Sequence, residues 1–222
     1  QAKATLNYLA KRMTDANAHC IYMVKDGMAD SYSIAYNFQN KSVEDVYKLS
    51  GEMFSTINKE TVLNLMENDP FYLPYPTPKR TKMQNWYGKK INAVILDSIE
   101  RGDSIDTIAK ALKDVTSEGY SASVRNARTY ITASENQGRY DRSEADKEAF
   151  KKHGYTIRKK WIGTNDGRER PSHVMCNNTY ANPRTGKFLN GLRFPGDPNG
   201  EPSEIWNCRC TLVEEVVKDE EL

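Results

Sequence analysis

The chain has 222 residues, 38% hydrophobic and 28% charged, which fits one large or two small domains of a soluble, rather polar protein. Its formal net charge of +2 gives no global electrostatic case for nucleic-acid binding. No run approaches the roughly 18–20 apolar residues of a membrane span. The N-terminus lacks an apolar signal core, so secretion by that route is not expected, and the missing initiator Met fits a fragment, a processed form or a shifted numbering. Four cysteines are too few to staple a chain this long, and Cys20 stands alone in the N-terminal half, so a reduced, cytosolic site of assembly fits better than a disulfide scaffold.

The stretch before Trp161 reads as mostly helical. Thr5 to Thr14 and Tyr32 to Phe38 carry apolar and aromatic residues at three- and four-residue steps and predict short helices. Ser42-Val-Glu-Asp has the form of a helix start, and Leu63, Leu65 and Met66 place another helix over Asn58 to Glu67. Pro70, Pro74, Pro76 and Pro78 then break regularity, because proline lacks a donor and biases its predecessor away from the helix. Asp69–Pro78 reads as an arm joining an N-terminal helical piece to a central bundle.

Met83, Tyr87, Ile91, Val94, Ile95 and Ile99 form one apolar stripe, ended by Gly102. Asp103 or Ser104 caps the next helix, with Ile105, Ile108, Ala109, Leu112 and Val115 on one face, and the short connection implies an antiparallel hairpin. Gly119 punctuates, and a longer helix follows from about Ser121 with small residues suited to close packing. After His153-Gly154 the pattern changes: Tyr155 to Ile162 favours a strand, Cys210 to Val217 a second, and the two can pair antiparallel around a loop-rich segment. The expected fold is α+β, a mainly helical bundle with a small loop-rich C-terminal module containing a short antiparallel β element. The segments are 1–78, 79–154 and 155–222.

That last segment carries the candidate chemistry. It is polar and rich in glycine and proline, so it is expected to bury little apolar surface and to need a metal, a dense polar network or a neighbouring domain. Trp161 and Trp206 are expected to supply a small core. Asp166, Arg168 and Arg170 suit a salt-bridged loop lock, since arginine's planar fork fixes carboxylates or carbonyls bidentately. Asn207 is expected to satisfy backbone groups in a turn. Arg158, Lys159 and Lys160 with Arg168 and Arg170 form a basic strip that either is a solvated face or meets phosphate, while Glu214–Glu215 and Asp219–Glu221 make an acidic tail.

His173, Cys176, Cys208 and Cys210 supply soft and borderline donors suited to tetrahedral zinc. Two other readings stay open: a metal-free site with His173 hydrogen-bonded and the cysteines packed as small apolar groups, or a disulfide from Cys176 to Cys208 or Cys210. A hydrolase would need more: a metal nuclease wants a second His or an acid set, and a cysteine nucleophile wants a base within reach and an oxyanion hole.

The order W-x-x-T-x-D-x-R-x-R-x-x-H, then G-L-x-F-P-G-D-P, then N-C-R-C over 161–212 resembles the C-terminal module of the phage-Mu-F-like minor head proteins, the phage head morphogenesis family. Gly102-Asp-Ser104 and Ala127-Arg-Thr-Tyr130 resemble the family's upstream bundle, with Tyr130 where an acid is usual and with Arg128 and Thr129 expected to bridge that helix to the module. In another branch of the family the equivalent stretch looks like a zinc site, and Arg170 and Ile205 here replace two of its ligand positions.

The resemblance implies a non-enzymatic minor capsid protein of a tailed bacteriophage or prophage. It would be assembled in the host cytoplasm, lie inside the virion head near the portal, and act in assembly and DNA packaging or ejection. Portal protein, major capsid protein and packaged DNA are the implied partners, and zinc the implied cofactor if any. Toxin domains that follow the module in some relatives are not expected here. The alternatives are a nucleic-acid-binding module using the basic strip or, less readily, a metal-dependent hydrolase.

Overall fold

The computed structural model describes residues 2–47, 56–69, 72–75, 77 and 79–221. Its elements run α1 (Ala2–Tyr47), α2 (Lys59–Asn68), α3 (Arg80–Glu100), α4 (Ile105–Lys152), β1 (Tyr155–Ile162), α5 (Pro171–Cys176), α6 (Pro202–Ile205), β2 (Thr211–Lys218) and a closing 3-10 turn at Asp219–Glu221. The fold is thus mainly helical α+β with one two-stranded antiparallel sheet near the C-terminus. Among the described residues no helix is long and apolar enough to cross a membrane.

Local chemistry sets most boundaries. Asn58 caps α2, its side chain accepting from the Thr61 amide at 2.8 Å. Helix α3 stops where Gly102 takes φ 69°, and Ser104 Oγ then accepts from the Thr107 amide at 3.2 Å to open α4. Two expected breaks do not occur. Thr5–Thr14, Tyr32–Phe38 and the Ser42 start all fall inside the single helix α1, and α4 runs through Gly119 without interruption. An isolated helical glycine costs only about 1 kcal/mol relative to alanine, and each is used for a close approach. A Cβ on Gly27 would lie 2.9 Å from Ile131 Cδ1, and one on Gly119 would lie 2.4 Å from the Tyr87 hydroxyl. Of the proline arm, Tyr72–Tyr75 and Thr77 are non-helical; Pro70, Pro76 and Pro78 lie outside the described residues.

The chain forms two compact units: Gln1–Lys25 with Pro76–Ala127, and Asp26–Tyr75 with Arg128–Leu222. This division cuts across the segments 1–78, 79–154 and 155–222, because the uninterrupted helices α1 and α4 each contribute to both units. In the first unit Ala10, Tyr87, Ile91 and Val115 are buried together, with Val94, Ile95 and Leu112 packed against them. The two predicted faces are therefore real at their centres, while Ile99 at the end of the first and Ile105 at the start of the second are exposed.

In the second unit α1 and α4 approach so closely that a Cβ on Gly138 would lie 2.5 Å from the Tyr32 carbonyl oxygen. A buried polar chain links the same helices. Tyr72 Oη donates to Tyr32 Oη at 2.6 Å, Tyr32 donates to Asp141 Oδ2 at 2.6 Å, and Gln137 Nε2 donates to Asp141 Oδ1 at 2.7 Å. Burial is the first cause raising both the Tyr32 hydroxyl and the Asp141 carboxyl above their ordinary ranges.

Strands β1 and β2 pair from Tyr155↔Lys218 to Ile162↔Thr211. They frame the loop-rich segment, which does hold an apolar core: Trp161, Cys176, Phe188, Leu192, Phe194, Cys208, Cys210 and Leu212 are buried together. The expectation of little apolar burial is corrected here. Phe188, Leu192 and Phe194 lie in irregular backbone, where no periodicity marks a buried face. Trp161 is central, but Trp206 is 43% exposed and meets Tyr130 edge-on, so it rims the module instead of filling it.

Candidate functional site

The C-terminal module is fastened to α4 by two polar side chains. Asn136, buried, donates from Nδ2 to the carbonyls of Pro195 and Cys210, each at 3.0 Å, and accepts from the Leu212 amide at 2.8 Å. It therefore reads three backbone groups from two separate loops. Two turns earlier on the same helix Thr129 Oγ1 accepts from the Asn207 amide at 3.0 Å. Asn207 has φ 58°, a left-handed conformation asparagine tolerates, and this turn aims Cys208 and Cys210 inward. Thr129 thus bridges helix and module; Arg128 beside it is exposed.

The loops are locked by charged pairs. Asp166 holds Arg168 at 3.0 Å and also the Arg209 fork, one of whose contacts is 3.0 Å. The Arg209 guanidinium is the first cause holding the Asp166 carboxyl far below the ordinary range. Arg170 does not join this pair. It donates to the carbonyls of Glu204, at 3.4 Å, and of Trp206, tying α5 to α6. In the F-P-G-D-P turn, Arg193 grips buried Asp197 with contacts of 2.8 and 2.7 Å, and the Arg193 and Asn199 amides add two more at 3.1 Å. Burial pushes the Asp197 carboxyl up, and these donors outweigh it and hold the pKa below the usual value.

The basic strip is largely engaged within the module. In the strand register Arg158 faces Glu215 and Lys159 faces Glu214. Arg158 lies over the Tyr180 ring at 3.7 Å, Lys160 over the same ring at 5.5 Å, and Tyr180 donates to Glu215 at 2.6 Å. Lys159 is ion-paired with Glu144 and sits 4.4 Å over Tyr140. Arg168 shares Asp166 with Arg209 and Arg170 is spent on carbonyls, so the basic residues of β1 lie beside the acids of β2 on one mixed-charge surface. From the sequence alone they looked like two opposite patches.

Three of the four proposed metal donors come together. His173, Cys208 and Cys210 are buried, with donor atoms within 4.8 Å of one another. Nδ1 of His173 lies 3.7 Å from Cys208 Sγ and 3.5 Å from Cys210 Sγ. Cys176 is outside this group. It is buried in the apolar core, burial pushes its thiol up, and the amides of Asn190 and Leu189 point at its sulfur. All four cysteines are free thiols, so the Cys176 disulfide is absent among the described residues.

The other histidine nitrogen, Nε2, is 3.1 Å from Glu204 Oε2 but off the line of a hydrogen bond. Ser172 Oγ donates to both Glu204 oxygens, at 3.0 and 2.9 Å, and the Trp161 ring meets the His173 ring edge-on at 5.0 Å. Glu204 was not legible as a site residue, since nothing in P-S-E-I marks it. Hydrogen bonding from Cys208 is the first cause lowering the Cys210 thiol, and the same contact raises that of Cys208. Beside them is a cleft of ≈ 250 Å³ lined by the three donors and by Arg168, Arg170 and Arg209.

These residues fit a soft divalent metal. A single imidazole lone pair accepts one hydrogen bond, yet two sulfurs converge on it. With metal–sulfur bonds of about 2.3 Å and metal–nitrogen bonds of about 2.0–2.1 Å, a tetrahedral site has nitrogen–sulfur edges of roughly 3.5 Å, which is the observed spacing.

The family model for phage Mu protein F-like proteins matches residues 89–213, from the middle of α3 into β2. The chain belongs to the phage Mu protein F-like family, which is a family of phage head morphogenesis proteins. It is also 27% identical over 161 residues to the NAD(+)--arginine ADP-ribosyltransferase EFV of Enterococcus faecalis, a match covering 72% of this chain and 32% of that protein. The chain therefore spans about a third of the length of this relative. No solved structure matches the chain.

Proposed function

We propose that the chain is a minor structural component of the head of a tailed bacteriophage or prophage, seated inside the capsid near the portal and acting in head assembly and in packaging or ejection of DNA. The observation that carries the reading is the family match over 89–213, which takes in all of α4 and most of the clamped module. The geometry supports a non-catalytic role. Most of the module's ionic groups have partners within the chain, and Asn136 and Thr129 fix it to a helix, as suits a rigid contact surface. With Arg158, Lys159 and Lys160 engaged by neighbouring acids and rings, the strip favours protein partners, portal or major capsid protein, over direct contact with packaged DNA. The transferase activity named for the Enterococcus relative is no part of this reading, since the matched stretch is only 32% of that protein.

The test is co-expression with the portal and major capsid proteins of the phage or prophage that encodes the chain. Co-purification with either is expected; a chain that binds neither contradicts the reading. Retention of duplex DNA that falls steeply with salt would favour the nucleic-acid reading instead.

A further inference from the structure

We propose that this chain binds one zinc-class divalent ion through His173 Nδ1 and the thiolates of Cys208 and Cys210, with Glu204 as the positioning carboxylate and the fourth coordination position open to the arginine-lined cleft. The inference goes beyond the head-assembly reading and does not depend on it.

Three observations converge on it. First, the two sulfurs lie 3.7 and 3.5 Å from the same ring nitrogen, a spacing that one hydrogen bond does not explain and that a shared metal does. Second, the opposite nitrogen of the ring is buried without a hydrogen bond, 3.1 Å from a carboxylate that Ser172 holds in place. A hydrogen bond from Nε2 to that carboxylate, formed when metal binds, would keep the ring proton there and leave the Nδ1 lone pair to the metal, the usual second-layer arrangement around a metal-bound histidine. Third, the remaining buried cysteine is spoken for. Cys176 Sγ accepts from two backbone amides, so among the described residues the group holds three ligands and no fourth.

The charge balances. A divalent cation binding two thiols releases two protons, and with neutral imidazole the centre carries no net charge. That suits a site already buried among Trp161, Phe188 and Leu212. The ion would cross-link α5 to the turn that precedes β2. The open position would take water or a small anion entering past Arg170 and Arg209, a feature structural zinc sites with four protein ligands lack.

The test uses the full chain, reduced, loaded with zinc or cobalt and freed of excess metal. Elemental analysis is expected to give one ion per chain in the wild type and in Cys176→Ser, and none in Cys208→Ser or Cys210→Ser. Because those two variants can also fail to fold, the cobalt spectrum of the wild type is the second readout. It should show thiolate-to-cobalt charge-transfer bands whose visible envelope shifts when imidazole is added. In Glu204→Gln, chelator competition should show affinity lowered about 10–100-fold, with the metal-free far-UV spectrum and melting temperature unchanged. A wild type that retains no metal overturns the proposal, as does loss of metal in Cys176→Ser. Rapid alkylation of Cys210 in zinc-treated protein also overturns it, pointing to a free thiolate–imidazole pair. A cobalt spectrum indifferent to imidazole removes the open position, and unchanged affinity in Glu204→Gln removes the role of that carboxylate.

Discussion

Asn136 in helix α4 holds the carbonyl of Cys210, 74 residues further along the chain, at 3.0 Å. The same side chain takes the Pro195 carbonyl and the Leu212 amide, so one residue sets the spacing between the F-P-G-D-P turn and the start of β2. Replacing it by alanine leaves buried backbone groups without partners, each costing about 1–3 kcal/mol. Asn136→Ala is expected to lower stability by about 3 kcal/mol in denaturant titration. Thr129→Val, which loses a single acceptor, should cost about 1 kcal/mol. Equal costs for the two would contradict the clamp.

Gly138 gives a test of the helix contact that runs against local propensity. Alanine is better than glycine in an isolated helix by about 1 kcal/mol. Here the added methyl would meet the Tyr32 carbonyl at 2.5 Å, and backbone cannot turn aside as a side chain can. Gly138→Ala should therefore destabilise, by roughly 1–3 kcal/mol. A raised melting temperature would show that α1 and α4 are further apart than described.

The Arg193–Asp197 pair predicts an acid limb. The Asp197 carboxyl is held below its ordinary pKa in the folded state. Its contribution is therefore present above the unfolded value of about 3.9 and is lost as pH falls through the folded value. Asp141 acts with the opposite sign, because its raised pKa favours folding at low pH and costs stability as pH rises above the ordinary carboxylate value. The difference between wild type and Asp197→Asn isolates the first group: it should be largest near neutrality and shrink below pH ~4. A difference that is flat from pH 7 to 3 would remove the ion pair from the account.

Much of this architecture was legible in the chain. Asn58, Gly102 and Ser104 mark helix ends because each has a local chemical reason to sit there. Tyr155–Ile162 and the strand after Cys210 could be paired because glycine and β-branched residues bracket them. Thr129 of the clamp was anticipated through the family resemblance, but Asn136 was not: a polar residue on a long helix looks solvent-facing until a loop folds over it. The mixed-charge surface of β1 and β2 was hidden for a related reason. Arg158 and Glu215 lie far apart in sequence, and only the register makes them neighbours. The core residues Phe188 and Phe194 sit in irregular backbone and Glu204 in a single-turn helix, where spacing carries no information. Cys176 misled in the other direction, since one helical turn from His173 suggests a shared ligand and the turn instead points the thiol into the core.

The central claim is that this chain is built into phage heads. Mass spectrometry of gradient-purified, DNA-filled heads from the encoding phage or prophage tests it most directly. The chain should be present in a few copies per head and should stay with the capsid shell and portal after DNA is released. Recovery only from the soluble cell lysate, with none in purified heads, would contradict it.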